Sequence, residues 1–147
     1  MKHGLTLLTI LLASISESSG QKKQDLTGAW VLQKIVINGK RIDQTIGNTQ
    51  FDTLFFSGKR FRQATHSILP DKQKIISTRT GTFEISEEKL EIKNLKSQSN
   101  QSTANLPDET VLFKMKKNKI VIERPIMIHT GKSETIGTSL HYYTKVK

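Results

Sequence analysis

Few side chains in this sequence are suited to chemistry. Among its 147 residues there are four histidines and no cysteine, and 23 lysines and arginines outnumber 13 aspartates and glutamates. Without cysteine there is no disulfide, no thiol nucleophile, no thiolate metal ligand and no lipidated cysteine anchor. His66, His129 and His141 stand far apart, with no HxH or HExxH spacing and no carboxylate at a fixed offset to complete a metal site. They read as scattered surface histidines. Glu87 and Glu88 are adjacent, but they fall in an expected turn, where paired carboxylates are normally solvated. The sequence holds no nucleophile elbow and no glycine-rich phosphate loop. The expectation is a non-enzymatic protein with no catalytic residue, no metal and no cofactor.

The basic residues do cluster. Lys59, Arg60 and Arg62 surround one expected hairpin, and Lys114, Lys116, Lys117 and Lys119 surround another. With a formal net charge of +10, such clusters suit a polyanion or an anionic membrane surface. They serve equally as a solvated face that keeps the protein soluble. A specific nucleic-acid partner is not expected, because the chain opens with an export signal and only isolated aromatics such as Phe61 stand among the basic runs.

The chain that positions these residues starts with a targeting segment. Lys2 and His3 give a basic start, Gly4 to Ala13 an apolar run, and Ser14 to Gly20 a small-residue exit. The run is too short to span a bilayer, and no other stretch reaches the roughly 18 apolar residues needed. Residues 1–20 are therefore expected to be a signal peptide, cleaved near Ser16 or Gly20. Residues 21–147 would form one exported domain, periplasmic or secreted. An uncleaved membrane tether is the alternative.

Past that segment, period-two alternation and short turns dominate. Eight strands are expected: Trp30 to Ile37, Phe51 to Phe56, Arg60 to Ser67, Lys74 to Ile85, Lys89 to Leu95, Glu109 to Lys116, Lys119 to Arg124 and Leu140 to Val146. The connections alternate between long (38–50, 68–73, 96–108, 125–137) and tight (57–58, 86–88, 117–118). An up-and-down meander places alternate connections at the same end, so long loops crowd one rim and tight turns the other. The three histidines then lie toward the long-loop rim. Closing the meander removes both sheet edges and sets the first strand antiparallel to the last. Trp30 should then touch the end of the last strand, Tyr143 to Val146.

Gly28-Ala29-Trp30, at the start of the first strand, resembles the glycine-any-tryptophan signature of lipocalins and related calycin barrels. The mature chain is similar to short lipocalin-like proteins exported by bacteria. That resemblance implies an all-β, eight-stranded antiparallel barrel whose tryptophan sits at a closed base beneath a basic side chain of the last strand, here Lys145. Gly28, Trp30 and Lys145 are thus the expected structural base. The chain departs from the family pattern in having lysine rather than arginine there, and in lacking both the threonine-aspartate-tyrosine motif and the long helix before the C-terminus. By alternation, the lining would be Phe55, Phe61, Phe83, Ile92, Phe113, Met115, Ile122 and Tyr142. The resemblance implies a monomer holding a small hydrophobic or amphipathic ligand. The competing reading is a solid β-domain acting as an interaction module through its basic surface.

Overall fold

The structure, a computed structural model, describes residues 25–42, 49–68, 71–131 and 133–147. The expected signal peptide and its cleavage site lie outside the described residues. Ten strands follow in order: β1 Gly28–Ile37, β2 Lys40–Ile42, β3 Thr49–Ser57, β4 Arg60–Ile68, β5 Lys74–Ser86, β6 Lys89–Ser99, β7 Thr103–Asn105, β8 Glu109–Lys116, β9 Lys119–Thr130 and β10 Ser133–Lys145.

Eight of these, all but the short β2 and β7, close a single antiparallel barrel. The seam is the pairing of β1 with β10, running from Trp30 opposite Lys145 to Ile37 opposite Ser139. On its other side β1 divides its pairing, with Gly28 to Val31 on β3 and Ile35 to Ile37 on β2. Closure gives every barrel strand two neighbours over the closed part of the wall, while β9 beyond Glu123 pairs β10 alone.

Two expectations about the connections are corrected. Residues 96–108 are not a plain loop: β6 continues to Ser99 and β7 folds back on it, pairing Gln98 with Thr103 and Lys96 with Asn105. Nor do residues 125–137 interrupt pairing, since β9 and β10 continue as one hairpin with Pro125 opposite Thr138 and Ile128 opposite Thr135. Pro125 lies past Glu123, the last residue that β8 pairs, at an edge where a missing N–H costs no ladder bond. The rim opposite the tight turns therefore carries hairpin extensions.

At the tight-turn end the barrel is plugged. Trp30 is fully buried, its indole Nε1 donates to the Leu26 carbonyl at 2.7 Å, and Leu26 is itself buried. The Lys145 ammonium lies 5.4 Å from the ring centroid, within reach of a cation–π attraction. Gly28 makes this approach possible. Its φ of 123° lies in the left-handed region, and an added Cβ would stand 2.8 Å from Lys145 Cε. Backbone bonds seal the corner, with Val146 N donating to Ala29 O at 2.9 Å and Lys145 N to Asn118 O at 2.8 Å.

Above the indole, inward side chains fill the lower barrel. Leu32, Leu54, Phe56, Phe61, Leu90, Ile92, Leu95, Val111, Phe113, Ile120, Ile122 and Tyr143 form one buried cluster, with Phe83, Ile85 and Met115 packed against it. Phe56 meets Phe83 edge-on at 4.9 Å between centroids, a favourable aromatic geometry. Trp30→Ala should cost about 3–5 kcal/mol, the range for a buried large aromatic. Urea unfolding checks this, and an unchanged midpoint would show that the indole is not the plug.

Candidate functional site

Charged residues stand in phase with the inward apolar face of several strands. On β9 the inward series is Ile120, Ile122, Arg124, Ile126 and Ile128; on β8 it is Met115, Phe113, Val111 and Glu109. On β5 it is Ile85, Phe83, Gly81, Arg79, Ser77 and Ile75, and on β4 it is Phe61, Gln63, Thr65 and Ser67. Asp52 follows Phe56 and Leu54 on β3, and His141 and Ser139 follow Tyr143 on β10. Side chains of one parity share one face of a strand. Arg124, Glu109, Arg79, Gln63, Asp52, His141 and Ser139 therefore meet inside the barrel, as a belt directly above the apolar cluster.

The belt is a continuous network. Glu109 bridges two arginines, with Oε2 2.6 Å from Arg79 Nη2 and Oε1 2.9 Å from Arg124 Nη1. Arg79 Nη1 donates to Gln63 Oε1 at 3.1 Å. The Gln63 amide donates to both Asp52 oxygens at 3.0 Å, and the Tyr143 hydroxyl donates to Asp52 Oδ2 at 2.8 Å. On the far side Ser139 Oγ donates to the Arg124 carbonyl at 3.2 Å and lies 3.1 Å from His141 Nε2. A hydroxyl has one hydrogen, so Ser139 accepts from His141, which puts the imidazole proton on Nε2 and a lone pair on Nδ1.

Burial sets the titration of this network. It raises the Asp52 carboxyl above its ordinary value, against the opposing effect of the bonds from Gln63 and Tyr143 and the charges of Arg124 and Arg79. It pushes the Tyr143 phenol well above its usual range, with the Asp52 charge adding to the effect. It lowers His141 to about 4, helped by Arg124 and opposed by Glu109. Four buried side-chain atoms here lack a hydrogen-bond partner: Arg79 Nε, Arg124 Nε, Arg124 Nη2 and His141 Nδ1. All four belong to the belt.

Above the belt the inward face changes character. Ile37, Thr65, Ser67, Ile75, Ser77, Ser97, Ser99, Ile126 and Ile128 continue the inward series, yet all stay partly exposed. The barrel is thus solid below the belt and open above it, a cup with a charged floor. The arginine and glutamate side chains keep 17–23% exposure, so the floor borders the cup, with the unpartnered nitrogens lying beneath its surface.

The residues expected to line a cavity fall into two groups. Phe61, Ile92, Phe113 and Ile122 are inside but 1–2% exposed, and Phe83 and Met115 pack against them. These six belong to the plug, below the cup. Phe55 and Tyr142 point outward, correcting the alternation reading, because their neighbours Leu54, Phe56 and Tyr143 take the inward positions. Outside, Arg62 lies 5.2 Å from the Phe55 ring and Lys34 4.5 Å from the Tyr142 ring. The base residues Gly28, Trp30 and Lys145 meet at the seam, as described above.

His141 is not a surface histidine but part of the belt, whereas His66 and His129 are exposed. His66 stacks edge-on with Phe51 at 5.8 Å, and His129 lies 3.2 Å from Glu134. Among the described residues no group of three histidines, aspartates or glutamates is arranged to hold a metal.

The His141 ring provides a pH test. Its native value of about 4 lies below the 6.5 of the unfolded ring, so between those pH values the unfolded chain binds the extra proton. Stability from this residue is complete above pH 6.5 and declines as pH falls toward 4. His141→Asn should flatten that segment of the stability curve, measured by urea unfolding across pH. An NMR titration of the parent showing the ring protonated at pH 6 would contradict it.

The comparisons with known proteins bear on this barrel. No curated protein matches the chain. Among solved structures it is similar to H1 crustacyanin from the lobster Homarus americanus, with 9% identity and a TM-score of 0.40, over 86% of this chain. The chain spans 64% of that protein's length. The sequence model of the lipocalin-like domain family matches residues 26–122, from the Leu26 that caps the indole to the Ile122 beneath the belt, and the chain belongs to that family.

Proposed function

We propose that this protein is an exported, non-catalytic carrier that holds one small amphipathic molecule in the cup above the belt. The observation that supports the reading is the change of lining along the barrel axis: fully buried aromatic and aliphatic residues below, partly exposed isoleucine, serine and threonine above. An eight-stranded barrel has room either for packed side chains or for one small ligand, and this chain divides those uses between its two halves. Burying about 300 Å² of a ligand's apolar surface in the cup would give roughly 7 kcal/mol gross. Association costs of several kcal/mol subtract from that. Apolar contact alone therefore supports modest affinity, and polar contacts must add the rest.

Export rests on the basic, apolar and small-residue order of residues 1–20, and a monomer on the barrel's closure. N-terminal sequencing of the protein recovered outside the cytoplasm should begin near Glu17 or Gln21. A second reading is favoured by one feature of the outer wall. Lys34, Lys114, Lys116 and Lys119 border a groove of about 570 Å³ that also contains Tyr142, a surface suited to an anionic envelope component.

Native mass spectrometry of protein purified from its source separates the readings. The carrier reading expects a co-purifying small molecule that is lost on unfolding. Ile126→Trp, which fills the cup, should abolish that adduct while keeping a cooperative urea transition, at a cost of no more than about 1–3 kcal/mol in unfolding free energy. Protein that is empty from its source and takes up no fluorescent amphiphile in titration would overturn the carrier reading.

A further inference from the structure

We infer that the floor of the cup is a seat for a ligand carboxylate, held by the unpartnered Nε/Nη2 edge of Arg124. This deepens the carrier reading and rests on it.

Two guanidiniums, those of Arg79 and Arg124, enter the barrel interior, and one carboxylate serves both. Each Glu109 oxygen is engaged once, with Oε2 to Arg79 and Oε1 to Arg124. The second inward carboxylate, Asp52, takes its hydrogen bonds from the neutral Gln63 amide and Tyr143 hydroxyl. Arg124 therefore bonds Glu109 through Nη1, while Nε and Nη2 stay buried without a partner. Those two N–H groups form the parallel fork that matches the two oxygens of a carboxylate. Arg79 Nε adds another unpartnered donor on the other side of Glu109. His141 contributes no competing charge near neutral pH, because burial and the Arg124 charge hold its ring value down to about 4; the neutral ring bonds Ser139 through Nε2 and presents a lone pair at Nδ1.

The placement selects the rest of the ligand. Arg124 sits on β9 between Ile122, which is buried in the plug, and Ile126, which is partly exposed in the cup. A head group on Arg124 therefore directs its tail upward along Ile126 and Ile128 of the same strand, toward the rim. A single negative charge suits a floor already holding Glu109 and Asp52, whereas a doubly charged phosphate would crowd them. The ligand class is a monocarboxylate with an apolar tail.

The test is a set of matched amphiphiles: dodecanoate, dodecanol, dodecylammonium and dodecyl phosphate, titrated against the full-length mature protein by calorimetry. Dodecanoate should bind about tenfold or more tightly than dodecanol, as a bidentate charged pair adds to shared tail burial. Dodecylammonium should bind no more tightly than dodecanol. In Arg124→Lys, which keeps the charge but loses the fork, the acid-over-alcohol preference should collapse while dodecanol binding remains. Equal affinity of acid and alcohol for the parent protein, which needs no variant to fold, would overturn the carboxylate seat and leave the carrier reading standing. So would an unchanged preference in Arg124→Lys, or phosphate binding more tightly than carboxylate. Failure of all four to bind would overturn the carrier reading and the seat together.

Discussion

The bridge from Glu109 to Arg79 and Arg124 is the constraint around which this barrel is arranged. Taking ionised groups out of water costs several kcal/mol per ion unless geometry and hydrogen bonds repay it. The chain meets that cost by joining β5, β8 and β9 across the lumen through one carboxylate. β5 and β8 are not neighbours in the sheet, since β6 lies between them. The bridge therefore fixes the width and register of the barrel at one level, and the positions of Gln63, Asp52, Tyr143, Ser139 and His141 follow by hydrogen bonding.

Below that level the molecule obeys the ordinary rules of a packed interior. The indole of Trp30 closes the base, Gly28 lets Lys145 reach its face, and leucine, isoleucine and phenylalanine fill the space between base and belt. Where β6 bulges, Asn94 takes a positive φ and Gly81 lies opposite. An added Cβ there would stand 2.6 Å from the Lys93 carbonyl oxygen, so glycine allows the bulge to turn Leu95 inward. Stability and binding are separated along one axis, and the belt is the boundary between them.

Much of this architecture is legible in the sequence. The eight barrel strands, the tight-turn end and the seam beside Trp30 all follow from alternation and turn dipeptides. Two local irregularities limit that reading. The bulge between Leu32 and Lys34 on β1 shifts the phase so that Ile35 and Ile37, not Lys34 and Val36, face inward, and period two cannot foresee such a shift. The continuation of β9 through Pro125 is hidden because proline ordinarily argues against a strand. The belt is hidden for another reason, namely that charged residues in strands ordinarily face outward. Yet Arg124 shares parity with Ile120, Ile122, Ile126 and Ile128, and Glu109 with Val111, Phe113 and Met115. A charge in phase with an apolar face is the signal that would have found it.

The absence of cysteine allows a direct test of the division into a solid base and an open cup. Single cysteines placed at Ile75 and Ile126, and separately at Ile92 and Ile122, probe inward positions above and below the belt. Under native conditions a small polar thiol reagent should label the upper pair readily and the lower pair only after unfolding. Equal protection at all four positions, or labelling below the belt in the folded protein, would contradict the division.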